Sequence, residues 1–356
     1  MLESILEKPF KMKKIVYRLM VLFLVISLTA CDKLVERGFK KQLKENRAGA
    51  DMLTDGSLHV VLVGTGGPFP NTERASVATA VIAGGEFIMV DTGPGTVRNA
   101  LLQRLPMGSL SAVFLTHFHS DHIADLGEAN MYSWVQGTRQ KRLEVFGPPG
   151  VEKVVDGYAL AYEQDSLYRT AHHGEDVAPP EGARPIAKTV TIDTPDQALL
   201  FFDRNGLKAW AFIVDHFPAR PAFGYRFEYK GKKVVISGDT KRNGNLAGQA
   251  DKADLFICEA LDAKTIHLAA RVAKEAEQPS LSKIFTDITD YHLTPVQAAE
   301  IAQKAGVKQL VFYHVVPPPT NFILKRRYLQ GVKDVYDGDV LIGEDGMTFL
   351  LEPNQE

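Results

Sequence analysis

Between Val113 and His122 the chain reads Val-Phe-Leu-Thr-His-Phe-His-Ser-Asp-His. His117, His119, Asp121 and His122 put three imidazoles and a carboxylate within six residues, a density of metal ligands that packing alone does not require. Imidazole and carboxylate donors without thiolate suit zinc, with manganese and iron as alternatives. Residues 113–116 are a short apolar, β-prone run and read as a buried strand. At a spacing of two, His117 and His119 leave the end of that strand on one side, while Phe118 turns toward the core. Ser120-Asp121 breaks the strand, so Asp121 and His122 can turn back over the same spot. The bland alternative is a polar turn that happens to be histidine-rich.

The surrounding elements decide which other donors join this group. Residues 209–214 read as a strand ending in Asp215-His216, and residues 223–229 and 233–237 as a hairpin across Lys230-Gly231-Lys232, followed by Gly238-Asp239. A hairpin returns its end to the level of its start, which sets Asp239 near His216. His172 and His173 are rival donors, but no Asp is so placed after them. His216 is therefore the expected ligand and His173 an outer or substrate contact, with a solvated loop histidine as its alternative. Residues 307–313 form a strand that ends on His314. Thr294 and Pro295 suit the N-cap and first position of a helix over residues 295–305, which holds His292 just ahead of a helix start. Other strands are expected at 58–63, 77–82, 87–90, 143–146 and 255–257. Other helices are expected at 97–105, 123–135, 151–161, 264–277 and near 321–330, before two closing strands. The cluster Gly64-Thr-Gly-Gly-Pro68 has neither GxGxxG nor P-loop spacing and reads as a tight turn beside the site.

His117-Phe-His119-Ser-Asp121-His122 matches the H-x-H-x-D-H motif, and the chain resembles the metallo-β-lactamase superfamily. That resemblance implies an α/β fold, an αββα sandwich of two mixed sheets flanked by helices, spanning residues 58–356. Within the superfamily the chain looks like ribonuclease Z and its arylsulfatase-like neighbours. The matching pieces are Phe223-Gly224-Tyr225-Arg226, Ser237-Gly238-Asp239-Thr240, Cys258-Glu259-Ala260 and the run from Tyr291 to Ala302 that leads to His314. By resemblance, His117, His119 and His216 hold one metal, Asp121, His122 and His314 a second, and Asp239 bridges them. Asp91 resembles the family's buried carboxylate that supports the metal loop, although a helix cap is its alternative role. Glu259 is an outer-contact candidate. His292 resembles a family histidine that lies over the metals and is expected, with Asp121, to serve catalysis. One departure matters: ribonuclease Z carries a long basic arm between the equivalents of His216 and Asp239, and here only a short hairpin fits.

Composition agrees with an ordinary globular protein: 356 residues, 45% hydrophobic and 24% charged. The formal net charge is −2, and residues 1–31 hold five basic and two acidic side chains, so the remainder stands at −5. That balance lacks the basic surface of a typical nucleic-acid binder. Lys11, Lys13, Lys14 and Arg18 precede a short apolar run over residues 19–30 that ends Leu28-Thr29-Ala30-Cys31. This resembles a bacterial signal peptide with a lipobox over residues 1–31, lipidated at Cys31, and residues 32–57 read as a polar tether. An uncleaved anchor helix is the alternative, and either reading exports the rest of the chain. The only other cysteine, Cys258, reads as a buried small residue.

The expected protein is thus an exported, membrane-attached hydrolase with two Zn2+, or Mn2+ or Fe2+ in their place. It cleaves a phosphodiester or sulfate ester of a small molecule through a metal-bridging hydroxide. Nucleic acid is not the expected partner, and a homodimer is compatible with the sequence. Rivals are a lactonase or thioesterase, a β-lactamase, which lacks the bridging Asp, and a non-catalytic metal-binding envelope protein.

Overall fold

The computed structural model describes residues 31–44 and 49–354. Residues 1–30 of the export signal expected over 1–31 lie outside the described residues. Residues 31–44 form a helix, α1, so the expected polar tether is helical over its first half. A separate compact unit begins at Ala50, ahead of the expected boundary at 58. The reason is a 3-10 turn, Gly49–Leu53, which lays Met52 and Leu53 on the core and ties Leu53 to Gly85 through a 2.8 Å backbone hydrogen bond.

Two seven-stranded sheets make up this unit. The first contains β1 (Leu58–Gly64), β2 (Ala78–Ala83), β3 (Glu86–Val90), β4 (Leu110–Phe114), β5 (Glu144–Gly147) and β6 (Ile186–Thr189). The second contains β7 (Leu199–Arg204), β8 (Leu207–Val214), β9 (Ala222–Tyr229), β10 (Lys232–Ile236), β11 (Leu255–Leu261), β12 (Gln309–Val316) and β13 (Asp339–Ile342). The last strand, β14 (Thr348–Leu351), returns to the first sheet beside β1. Their orders are β14-β1-β2-β3-β4-β5-β6 and β13-β12-β11-β10-β9-β8-β7. In each sheet a run of antiparallel pairs gives way to a run of parallel ones. Both sheets are therefore mixed, as expected.

Helices cover the outer faces. On the first sheet Val97 of α2 (Thr96–Leu102), Leu126 of α4 (Leu126–Gly137) and Val151 of α5 (Val151–Ala161) enter one apolar cluster with β1 to β5, and the short α3 (Ser120–Ile123) precedes α4. Next come α6 (Glu163–His173) and α7 (Pro180–Ala183). On the second sheet α8 (Gly244–Gln249), α11 (Pro295–Ala305) and α12 (Phe322–Tyr328) pack in the same way, while α9 (Ala263–Glu275) and α10 (Pro279–Asp287) form a hairpin between β11 and α11. Between the sheets, Leu62, Val81, Ile88 and Phe114 join Phe227, Ile236, Ile257 and Val311 in one buried apolar core. The architecture is the αββα sandwich expected from the motif.

Several expected elements differ in detail. The helix expected over residues 123–135 is broken at Ala124-Asp125, where Asp125 donates its N–H to Thr92 O and accepts from Val97 N. The strands expected over 255–257 and 307–313 run on to Leu261 and Val316. The sequence gives no expectation of β6, β7, α6, α7, α8 or α10. β6, α6 and α10 contain no buried residue and β7 only Phe202, so none carries a strong apolar period, while α7 and α8 are too short to show one.

The start of α11 matches its expectation. Thr294 Oγ1 accepts from Gln297 N, and Gln297 Oε1 accepts from Thr294 N, so both partners of a capping box are in place. Replacing Thr294 with Ala should lower unfolding free energy by about 1 kcal/mol. A denaturant titration would register this as an earlier midpoint with an unchanged slope.

Candidate metal centre

Because β8 and β10 both pair antiparallel with β9, and β10, β11 and β12 pair in parallel, the ends that carry His216, Asp239 and His314 lie along one edge. The end of β4 is brought to that edge by contacts between the sheets. Phe223 N donates to Thr116 O at 2.9 Å, and the buried Tyr225 hydroxyl donates to Leu115 O at 2.6 Å. The chain just after these carbonyls is His117-Phe118-His119.

Two sets of donors and one carboxylate between them result. His117, His119 and His216 form one, with His119 Nδ1 2.9 Å from His117 Nε2 and 3.3 Å from His216 Nε2. Asp121, His122 and His314 form another, with Asp121 Oδ2 3.7 Å from His122 Nε2 and 3.3 Å from His314 Nε2. Asp239 Oδ2 lies between them, 3.3 Å from both His122 Nε2 and His314 Nε2 and 3.8 Å from His216 Nε2. All seven residues named as ligands thus converge. His117, His122, His216, His314 and Asp239 are almost wholly buried, whereas His119 opens to solvent.

His314 corrects one expectation. It does not close its strand but sits inside β12 at a bulge, where the pairing with β11 skips from Tyr313 to Val315. Its φ is +45°, and the extra residue re-aims the imidazole. The glycine cluster packs beside it: a Cβ on Gly67 would lie 2.7 Å from Val316 Cγ2 and 3.3 Å from the His314 ring. That fixes the role of the turn after β1, which leaves room for a ligand.

Outer contacts set the imidazoles. Asp91 is fully buried and caps no helix; its carboxylate accepts from Thr116 N, Thr116 Oγ1 and His122 Nδ1 at 2.8 to 2.9 Å. His216 Nδ1 donates to Tyr291 O at 3.1 Å. Both bonds leave Nε2 facing the cluster, the arrangement a metal requires. Burial holds His117 well below the usual histidine range and His216 at about 4, so both stay neutral. Burial opposes the charged form of His314 too, but Asp239 and Asp121 outweigh it and lift it to about 8. Burial would raise Asp121, yet His122 and His314 bring it to about 2. His122 Nε2 and Asp239 Oδ1 are buried without a hydrogen-bond partner. Orphaned donor atoms among buried carboxylates fit cations, so the residues present suit one or two metal ions.

His292 and Glu259 also reach the site. His292 Nδ1 lies 3.2 Å from Glu259 Oε1, and its ring centre is 5.2 Å from that of His216 and 5.4 Å from that of His314. Glu259, buried in β11, accepts from Leu293 N and Thr240 N through Oε1 and so ties the His292 loop to the Asp239 loop. The geometry also groups His292 with His216 and Asp239, so it stands within ligand reach. His173 does not join. It ends α6, whose residues are all unburied, against His172 and away from every candidate donor group.

A cavity of about 300 Å3 opens over the donors, floored by His119, Asp121, Asp239 and His314 and walled by Phe69, Ile284, Ile288 and Tyr291. Sequence reasoning missed Ile284, in α10, and Ile288, in the 3-10 turn Ile288–Asp290 after it, although their spacing of four was a usable signal. A larger hollow of about 860 Å3 lies beside Asp215 and Arg220, but those two are paired with each other at 2.7 Å and no donor group faces it.

Residues 87–315 match the family model described as the beta-lactamase superfamily domain. The ribonuclease Z of Mycobacterium marinum is 35% identical over 266 residues, covering 73% of this chain and 87% of that one. The ribonuclease Z of Mycobacterium bovis is 36% identical over 262 residues, covering 73% and 86%. Among solved structures, the fold is shared with human tRNase Z, short form (TM-score 0.57, 24% identity, 82% and 98% covered), and with the protein YhfI of Bacillus subtilis (TM-score 0.59, 21% identity, 83% and 99% covered). The chain belongs to the metallo-β-lactamase superfamily and is a ribonuclease Z-like hydrolase.

Asp239 touches histidines of both groups but lies outside the apolar core. Asp239→Ala should therefore cost at least one bound metal per chain, read by elemental analysis, while the far-ultraviolet circular dichroism stays unchanged.

Proposed function

We propose that this chain is a two-metal phosphodiesterase, with zinc as the resident ion. The observation that carries the reading is Asp239, whose one oxygen faces both histidine groups at 3.3 to 3.8 Å. Two ions held there would supply Lewis acidity and a water-derived nucleophile at neutral pH. The protein's own groups do the rest. Asp91 and the Tyr291 carbonyl hold imidazoles in one tautomer, and Glu259 holds the His292 loop over the cavity. His292 then donates a proton to the leaving oxygen. A β-lactamase does not need the bridging carboxylate, and a decayed binding protein does not need His292.

The walls of Phe69, Ile284, Ile288 and Tyr291 favour an ester with a compact, partly apolar group, and a sulfate ester is the runner-up. Only a two-residue turn, Lys230-Gly231, joins β9 to β10 between His216 and Asp239, which leaves no arm there. The short turn, together with export and the net charge of −5 over residues 32–356, is the ground for expecting no nucleic-acid partner. The relatives named ribonuclease Z weigh against it, so RNA belongs among the substrates to be tried. A panel of p-nitrophenyl phosphodiester, p-nitrophenyl sulfate, a lactone, a cephalosporin and an RNA should show turnover of the diester above all others. Preferred turnover of the lactone or cephalosporin would overturn the reading.

Loss of His292 should separate good from poor leaving groups. In His292→Ala, hydrolysis of an alkyl phosphodiester should fall about 10²–10⁴-fold. The p-nitrophenyl ester, whose phenolate departs unaided, should fall far less, and metal content should hold. Equal losses, or loss of an ion, would give His292 a ligand's role instead.

Attachment to a membrane through lipid at Cys31, outside the cytoplasm, completes the reading; it rests on the Leu-Thr-Ala-Cys sequence and on an exposed Cys31. Labelled fatty acid should enter the wild-type chain in a bacterial host and not Cys31→Ala. Recovery of the unlabelled wild type from the cytoplasm would remove this part of the proposal.

A further inference from the structure

Helix α1 differs chemically from an ordinary tether. All of its residues are exposed, among them Leu34 at 72%, Val35 at 56%, Phe39 at 61% and Leu43 at 64%. At about 3.6 residues per turn, these four side chains fall on one half of the helix, with Cys31, Gly38 and Gln42 among them. Lys33, Arg37, Lys40, Lys41 and Lys44 gather on the other half, within an arc of roughly 100°. Of the two acidic residues, Asp32 falls within the apolar half, between Phe39 and Leu43, and Glu36 just beyond Leu43. Asp32 is in the first turn, and Glu36 is paired with Lys40 at 2.5 Å.

Three occupants could cover the apolar half. Docking on the rest of the chain would hide the apolar side chains but gives no reason to gather five cations opposite them. A second copy of α1 would place two cationic arcs in one bundle, and Gly38 and Gln42 interrupt the seam that such pairing needs. A bilayer rich in anionic lipid uses both halves at once. The apolar side chains enter the boundary between headgroups and acyl chains, while the cations meet lipid phosphates. Among the described residues no helix is long and apolar enough to cross a membrane, so α1 would lie along the surface. Cys31 falls on the apolar half, where an acyl chain on its sulfur would enter the same layer.

We propose that α1 is an interfacial helix that binds the surface of an anionic phospholipid bilayer through its own side chains, with or without lipid on Cys31. The proposal is independent of the hydrolase reading. It is tested on the full chain carrying Cys31→Ala, because Cys258 is buried and a cysteine introduced on α1 is then the sole exposed thiol. Val35→Cys, Arg37→Cys, Phe39→Cys, Lys40→Cys, Leu43→Cys and Lys44→Cys are spin-labelled singly and reconstituted into vesicles of phosphatidylglycerol or of phosphatidylcholine. In phosphatidylglycerol, accessibility to oxygen relative to a water-soluble nickel complex should be several-fold higher at 35, 39 and 43 than at 37, 40 and 44. In phosphatidylcholine the contrast should collapse. The paired change Val35→Glu with Leu43→Glu, read from a label at 39, should abolish it in both lipids. Protection of 35, 39 and 43 from both relaxants would instead mean docking on the protein, and concentration-dependent spin broadening would mean a second copy. Either result, or a contrast equally strong in phosphatidylcholine, overturns the proposal.

Discussion

Three carboxylates, Asp91, Asp121 and Asp239, are buried in one place, and the rest of the site follows from having to compensate them. A buried anion without partners is costly, by several kcal/mol even after relaxation. Without metal, the compensation falls to His122 and His314, which the surrounding carboxylates push toward their charged forms. A protonated imidazole and a metal-bound one serve the same electrostatic purpose, so the site that stabilises one is built for the other. His117 and His216, further from that charge, are kept neutral by burial, as a ligand must be. The two donor groups therefore differ electrostatically, the one around Asp121 being the richer in carboxylate.

Such a cluster survives only if the backbone holding it is over-determined. Asp91 and His314 both adopt positive φ, at 61° and 45°, a conformation that costs a residue with a side chain of order 1–3 kcal/mol. Asp91 is held there by Thr116 and His122, and His314 by the β12 bulge against the glycine turn, where Val315 N donates to Thr65 O at 2.9 Å. These are contacts between segments far apart in sequence. The two sheets meet at this edge through Phe223, Tyr225 and the Gly66–Val315 bridge, so the ligands cannot shift without moving the sandwich itself.

What the sequence revealed follows the range of the interactions involved. The His117–His122 motif and the placement of Asp239 just past β10 were legible because donor type and strand period are local properties. The α11 start was legible for the same reason: Thr294, Pro295 and Gln297 form their cap among themselves. Asp91's partner was not, since a helix cap and an imidazole 31 residues away are equally consistent with a carboxylate after a strand. The bulge at His314 was hidden because only pairing with β11 defines it. His173 misled because two adjacent histidines look like chemistry, whereas α6 has no buried face to carry them inward.

The division between floor and walls bears on how such a site acquires a substrate. Its floor comes from strand ends locked between two sheets, which admits little variation. Phe69 comes from the glycine turn, Ile284 from α10, a helix without a single buried residue, and Ile288 from the 3-10 turn Ile288–Asp290 that follows it. Phe69 and Phe285 meet with ring centres 5.4 Å apart, so the turn and the α9–α10 hairpin support each other across the rim. The hairpin lies between β11, which carries Glu259, and the loop that carries His292. On the proposed reading, substrate contact and proton donor are thus mounted on one connection. A change in that connection would alter the walls of the cavity while leaving every candidate metal donor in place, so choice of substrate and retention of metal would be separable.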